Sequence, residues 1–380
     1  MTDPRRDYLD QILRSGVSLP PALAAAFASV PREAFVPEGF QRRDGSWVHP
    51  ADPDFLATVY RDDVLITKVD GKVPISSSSQ PSLMAIMLMA LGVTPGMRVL
   101  EIGAGTGYNA ALLAALGATV TSIDVQADVA DRARSALARA GVAGVRVQHA
   151  DGYAGLPGER FDRVIVTVGI GGLSPHWLEQ LDPGGLVIAP VKQAGTHPVL
   201  AVADPSDARV VCASGFMAAS GPLNADHPYA FPAPAPAGAL TGLVQAAPSR
   251  FDPPLTEIAY RDLWFAAGAW SHRATHALLP STALLPGTAV PSGVTAVPGR
   301  DQSCLALLDE PRTGGAVVLP DGTVLAGGHA ALRYGAMAVE IIDRWIAAGR
   351  PPMQAWRVGL TLTGEDKSPI WAPHTWELRP

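Results

Sequence analysis

The chain has 380 residues, 48% of them apolar and 17% charged, with a formal net charge of −6. That length suits two domains, or three, and that apolar share fills full-sized cores, which excludes wholesale disorder. The acidic balance, with no Lys/Arg run longer than two residues, argues against a nucleic-acid substrate, whose enzymes carry a basic surplus or stripe.

Residues 1–40 read as helical with proline punctuation: Leu9, Ile12 and Leu13 keep helical spacing, and Pro20–Val30 is a short Ala-rich helix. A strand-like run follows at Val64–Thr67. The serine run Ser76–Ser79 reads as a polar loop before an apolar helix at Ser82–Leu91, where a serine beside Pro81 is placed to cap it. From residue 98 to 191 strands and helices alternate. Strands are expected at Arg98–Ile102, Thr119–Ile123, Val145–His149, Asp162–Val168 and Gly185–Pro190, with helices at Tyr108–Leu116 and Asp128–Ala140. Buried apolar strands separated by helices predict a parallel, doubly wound α/β sheet. Val199–Ala203 and Arg209–Ala213 look like an antiparallel closing pair.

Composition shifts near 220, and Phe231–Ala239 reads as a proline/alanine linker. Beyond it, a smaller α+β domain is expected over 221–380. Its signals are Cys304–Leu308, a hairpin turning on Asp321-Gly322, a helix at Ala330–Ala348, and strands at Trp356–Thr361 and Thr375–Leu378. Residues 1–220 form the first domain, with 1–80 as its helical, substrate-lid part. The two cysteines, Cys212 and Cys304, suit buried free thiols rather than a disulfide framework. No secretory h-region opens the chain, and no apolar stretch reaches about 18 residues. A soluble cytoplasmic monomer with no membrane or nucleic-acid partner is the expectation.

The chemistry gathers on Glu101-Ile102-Gly103-Ala104-Gly105-Thr106-Gly107, between a strand and a helix. Glycines there let the chain turn tightly and a ligand approach the main chain. Their alternate spacing differs from the dinucleotide fingerprint. Asp124 ends the next strand, placed to hold two ribose hydroxyls. Asp151-Gly152 ends the third, where a carboxylate meets an adenine amino group. Acidic groups at consecutive strand ends point to S-adenosylmethionine (SAM), although either aspartate could instead cap the helix that follows. His272 and His276 sit four apart at helical spacing but lack a third ligand, so no metal is expected. His176, His197 and His227 are read as isolated surface or hydrogen-bonded side chains.

Val99–Leu113 (VLEIGAGTGYNAALL), Phe161–Thr167 (FDRVIVT), Leu181–Val191 (LDPGGLVIAPV), Val30–Pro37 (VPREAFVP) and Ser79-Gln80-Pro81 together resemble the protein-L-isoaspartate O-methyltransferase family over about residues 8–220. The resemblance implies a Rossmann-like SAM-dependent sheet. It also implies methylation of an isoaspartyl or side-chain carboxylate in a peptide, with S-adenosylhomocysteine as product. The ester then loses methanol as a backbone nitrogen attacks, giving a succinimide (aspartimide). On this resemblance Ser79 is the expected catalytic residue. Ser76, Ser77, Ser78, Gln80, Glu101, Gly103, Ala104, Gly105, Asp124, Val125, Asp151, Gly152 and Thr167 would hold the cofactor. Val168, Gly169, Ile170 and Tyr60 would face the peptide.

Three departures stand out. The family's P-[IL]-G-x-G-Q-T-I-S becomes a longer, more polar segment, 65–79. V-T-A-A-A-P becomes Val166-Thr167-Val168-Gly169-Ile170-Gly171-Gly172, in the segment that shapes the carboxylate pocket. The chain also runs on well past the closing strands. These features resemble a subgroup that modifies an aspartate in ribosomally made lanthipeptide or graspetide precursors. The leading expectation is thus a tailoring enzyme for a cyclised precursor peptide, with aromatic stretches Trp264–Trp270 and Trp345–Trp376 as candidate recognition surface, although each ring taken singly is better read as an ordinary core aromatic. General isoaspartyl repair is the alternative. A small-molecule or nucleic-acid methyltransferase, and a SAM-binding scaffold or leader-peptide binding module that has lost catalysis, are lesser ones.

Overall fold

A computed structural model describes residues 4–225, 242–279, 302–364 and 368–379. The linker at Phe231–Ala239 and His227 lie outside the described residues. The N-terminal part carries α1 (Tyr8–Arg14), α2 (Pro21–Ser29), β1 (Phe40–Gln41), β2 (Trp47–Val48), α3 (Phe55–Val59), β3 (Leu65–Asp70), β4 (Val73–Ser78) and α4 (Pro81–Leu91). The serine run is therefore mostly strand, not loop. Ser76, Ser77 and Ser78 pair with Lys68, Ile66 and Leu65 across an antiparallel hairpin turning at Gly71. Nor does a serine cap α4. Pro81 occupies its first turn, and the distant Asp62 accepts from Ser82 N at 2.8 Å.

The alternating region gives β5 (Arg98–Ile102), α5 (Tyr108–Ala115), β6 (Thr119–Asp124), α6 (Ala127–Arg139), β7 (Val145–His149), β8 (Phe161–Val166), α7 (Pro175–Glu179), β9 (Leu181–Pro190), β10 (Val199–Val202) and β11 (Ala208–Cys212). Strands β9, β8, β5, β6 and β7 run parallel in that order, as the alternation predicts. The order reverses between β5 and β8, and a switch point of this kind opens a crevice at the strands' carboxyl ends.

The remainder forms β12 (Val244–Ala247), α8 (Glu257–Trp270), β13 (Ala274–Leu279), β14 (Gln302–Leu308), β15 (Gly314–Val318), β16 (Val324–Gly328), α9 (Ala331–Ala347), β17 (Trp356–Thr363) and β18 (Ile370–Leu378). Strands β12 to β16 make a five-stranded sheet. Asp321 takes both Thr323 N and Thr323 Oγ1 at its hairpin turn (2.9 Å each). The last two strands behave differently from a separate unit. Strand β17 pairs with β11 through Ala208↔Val358 and extends the first sheet to nine strands.

One hydrophobic cluster consequently runs from Val187 and Leu200 through Phe265 to Trp345 and Trp356. The aromatic stretches, which the sequence offers as either recognition surface or ordinary core, lie largely within it. Phe265 packs edge-on against Trp356 (5.8 Å) and Trp376 (5.2 Å), because large rings gain most when buried together. His276 lies on β13, so the His272/His276 pair does not share a helix face. Among the described residues no group of three His, Cys, Asp or Glu is placed to hold a metal. No described helix is long and apolar enough to cross a membrane.

Candidate active site

The crevice at the carboxyl ends of β5, β6, β7 and β8 is a cavity of about 1810 Å³. Its floor is the glycine loop. Gly103 N and Ala104 N both donate to Ile123 O (2.8 and 3.1 Å), turning the chain sharply after β5. Gly103 adopts φ +98°, and a Cβ there would stand 2.7 Å from Thr167 Oγ1. Gly105 adopts φ +53°, with the carbonyl of Ser77 only 3.0 Å from where its Cβ would be. Gly103 therefore requires glycine by conformation and by space, and Gly105 is favoured by its left-handed backbone and a tight approach to Ser77 O.

Asp124 reaches back to this loop. Its Oδ2 accepts from Gly105 N (3.1 Å) and its Oδ1 from Gln126 N (2.9 Å). Burial pushes its pKa up, while these two amides oppose the shift. Each oxygen keeps acceptor capacity for a hydroxyl. The half-exposed Val125 offers an apolar face beside it. Asp151 holds Tyr153 N (2.9 Å) on a more exposed rim, next to Gly152.

Glu101 borders the same cavity but is fully buried, accepting from Asn109 and Ser122. It ties α5 and β6 to β5 beneath the loop. Burial pushes its carboxyl up to about 7. Thr167 is also engaged with protein, its hydroxyl lying 2.6 Å from Gly103 O and 3.2 Å from Ile102 O.

The β3–β4 hairpin lies over the loop. Lys68 Nζ bonds Gln126 Oε1 (2.9 Å) and Asp128 (2.7 Å), and Gln126 Nε2 returns a bond to Ile75 O (3.0 Å). Ser76 and Ser78 are buried there, and Ser78 Oγ has no hydrogen-bond partner among the described residues. Ser79 and Gln80 follow on the cavity wall. Their position depends on Arg32, of the VPREAFVP segment, a residue the sequence singled out only as part of a motif. Its buried guanidinium donates to four carbonyls: Val59 (2.8 Å), Arg61 (2.9 Å), Asp63 (2.9 Å) and Ser79 (3.0 Å).

Not every expected residue reaches the cavity. Val168 lines it, but Ile170 turns into the core and is fully buried. Gly169 packs beneath the His197 ring. Tyr60 lies elsewhere. It packs edge-on against Tyr8 (4.9 Å) and donates to Glu33, inside the N-terminal core. Its ring gains more from aromatic burial than a solvent-lined wall would give, so it is no part of this cavity. Conversely, His197 lines the cavity, although nothing around it in sequence marks it.

A sequence profile described as Protein-L-isoaspartate(D-aspartate) O-methyltransferase (PCMT) matches residues 4–217, more than half of the chain. The chain belongs to this family. A protein-L-isoaspartate O-methyltransferase of Methylorubrum populi is 36% identical over 206 residues, 53% of this chain and 85% of that protein. The corresponding protein of Thermotoga maritima is 37% identical over 173 residues, and the match spans half of its length and 44% of this chain. A solved structure described as a protein-L-isoaspartate O-methyltransferase aligns over 98% of this chain and 99% of its own, with a TM-score of 0.53 and 23% identity. That likeness in fold extends through the C-terminal part. The long extension is therefore shared, as fold, with that solved structure, while the curated relatives carry the description protein-L-isoaspartate O-methyltransferase.

Proposed function

We propose that this chain transfers the methyl group of SAM to the free α-carboxylate of an isoaspartyl residue in a peptide or protein. The observation that carries the reading is that one cavity is lined together by the glycine loop, Asp124, Asp151 and Ser79. The side-chain-free faces of Gly103 and Gly105, the two oxygens of Asp124 and the Ser78 hydroxyl, unpartnered among the described residues, suit SAM. When bound, SAM supplies a methyl group activated on a sulfonium. Pockets for one small ligand run to about 300–1,000 Å³, so a cavity of about 1810 Å³ leaves room for peptide as well.

Few protein groups are needed for the reaction. A carboxylate is ionised at neutral pH, so no general base is required. What the chain contributes is alignment and exclusion of water. Ser79 orients the carboxylate, and the β3–β4 hairpin covers the floor. The methyl ester afterwards loses methanol as the next backbone nitrogen attacks, its proton leaving with the methoxide.

The test uses labelled SAM with two linear peptides that differ only in one isoaspartyl or aspartyl linkage. Methyl transfer to the isoaspartyl member alone, followed by methanol release, is the expected result. Failure with both overturns the reading. The altered Val168–Gly172 segment favours one second reading, an aspartate β-carboxylate in a cyclised precursor peptide. A cyclic aspartyl peptide methylated in preference to the linear isoaspartyl one would establish it.

A further inference from the structure

His197 belongs to the segment between β9 and β10, which is held from both sides. Gln193 Nε2 donates to Phe265 O (3.0 Å), and Trp264 Nε1 donates to Ala194 O (2.9 Å), both across to α8. Gly195 takes φ +75° and lies so close to β13 that a Cβ would stand 2.7 Å from His276 N. His197 itself pairs through the main chain, its N donating to Ser214 O (3.1 Å).

The ring is equally constrained. Phe216 N donates to its Nδ1 at 3.4 Å, which leaves Nε2 as the protonated nitrogen. Burial, with Lys192 and His276 nearby, pushes its pKa down to about 4. At neutral pH the side chain is therefore an uncharged donor. Among the described residues Nε2 has no acceptor, and the residue lines the cavity that holds Ser79.

Room has been left for this ring. A Cβ on Gly169 would stand 2.5 Å from His197 Nε2 and 2.6 Å from Cδ2. Gly169 is not among the glycines with positive φ, so its backbone would accept alanine. Its main chain is fixed as well, with N donating to Met217 O and O accepting from Ala219 N (2.8 Å each). The missing side chain thus serves the imidazole, not the fold of the chain.

We propose that His197 is a substrate-binding residue whose Nε2–H donates to the non-attacking oxygen of the acceptor carboxylate, and that Gly169 is kept bare to admit it. This rests on the isoaspartyl reading. Methyl transfer turns an anion into a neutral ester. A cationic partner would stabilise the ionised carboxylate more than the transition state, which slows transfer. A neutral donor orients the oxygen without that cost.

The experiment measures kcat and KM for the linear isoaspartyl peptide, S-adenosylhomocysteine affinity and thermal midpoint in His197→Ala, His197→Gln, Gly169→Ala and the Gly169→Ala/His197→Ala double variant. Loss of a hydrogen bond to a charged group predicts about a ten- to hundredfold fall in kcat/KM for His197→Ala. S-adenosylhomocysteine affinity should stay unchanged, and His197→Gln should recover part of the loss through its amide donor. Gly169→Ala should match His197→Ala, and the double variant should be no worse than either. Unchanged kcat/KM in His197→Ala, in a wild-type protein active on the peptide, overturns this inference alone. So does a loss that follows the thermal midpoint with no recovery by glutamine. A wild-type protein inert towards the peptide overturns the acceptor assignment and this inference together.

Discussion

Replacing Gly103 by alanine tests whether the glycine loop is built as the cavity floor. The backbone at φ +98° is one that L-residues avoid, and holding a non-glycine residue in such a region costs about 1–3 kcal/mol. The added methyl would also stand 2.7 Å from Thr167 Oγ1 and 3.1 Å from Val168 Cγ1, an overpacking worth about 1–3 kcal/mol. Together these give about 2–6 kcal/mol, divided between folding and ligand binding according to whether the loop resists or yields. If it resists, the denaturation midpoint falls. If it yields, the amide of Gly105 moves off Asp124 and affinity is lost, by about thirtyfold for 2 kcal/mol. The assay is urea unfolding alongside calorimetric titration with S-adenosylhomocysteine. Thr167→Ala in the Gly103→Ala background should recover only part of the loss. It removes the clash but also the hydroxyl that reaches Gly103 O at 2.6 Å. A Gly103→Ala protein with wild-type midpoint and wild-type affinity would refute the reasoning.

Ser79→Ala should lower kcat on the isoaspartyl peptide at least about tenfold, as loss of one charge-assisted hydrogen bond predicts, while leaving S-adenosylhomocysteine affinity in place; parallel calorimetry and turnover separate the two. Arg32→Met leaves four carbonyls without their donor, so unfolding free energy should drop by about 3 kcal/mol or more, and activity should fall with it because the Ser79 carbonyl is released. Glu101 gives a pH signature. Its pKa is raised from an ordinary 4.5 to about 7 by burial, so the folded state holds the proton more tightly, and stability falls as pH rises through that window by at most about 3 kcal/mol. Glu101→Gln removes this term, so the wild-type unfolding free energy minus that of the variant should decline from pH 4.5 to 7 in denaturant titrations. A flat difference would show that the carboxyl ionises freely.

The central strands were legible because their signal is local. Arg98–Ile102 is a short, mostly apolar run, Val145–His149 alternates valine with polar residues at its start, and glycines mark where β5 hands over to α5. Asp124 and Asp151 could be placed for the same reason, since a strand's end can be counted. The misreadings share the opposite cause. Serine has little strand preference, and Ser76–Ser78 become strand only through pairing with β3 and docking over Gly105. His197 is invisible in sequence because its setting depends on the absent side chain of Gly169, on another strand's end.

The boundary expected near 220 marks where the first run of strands ends, but the fold does not stop there. Strands β17 and β18 return to the edge of β11, a long-range pairing that no local pattern announces. Helix α8 meanwhile grips the segment leading to His197 through Gln193 and Ala194. The C-terminal part thus completes the first sheet and fixes one wall of the cavity. Its hold on the segment that carries His197 runs through two side-chain-to-main-chain hydrogen bonds, Gln193 Nε2 to Phe265 O and Trp264 Nε1 to Ala194 O, while Trp345 and Trp356 contribute by filling the shared core.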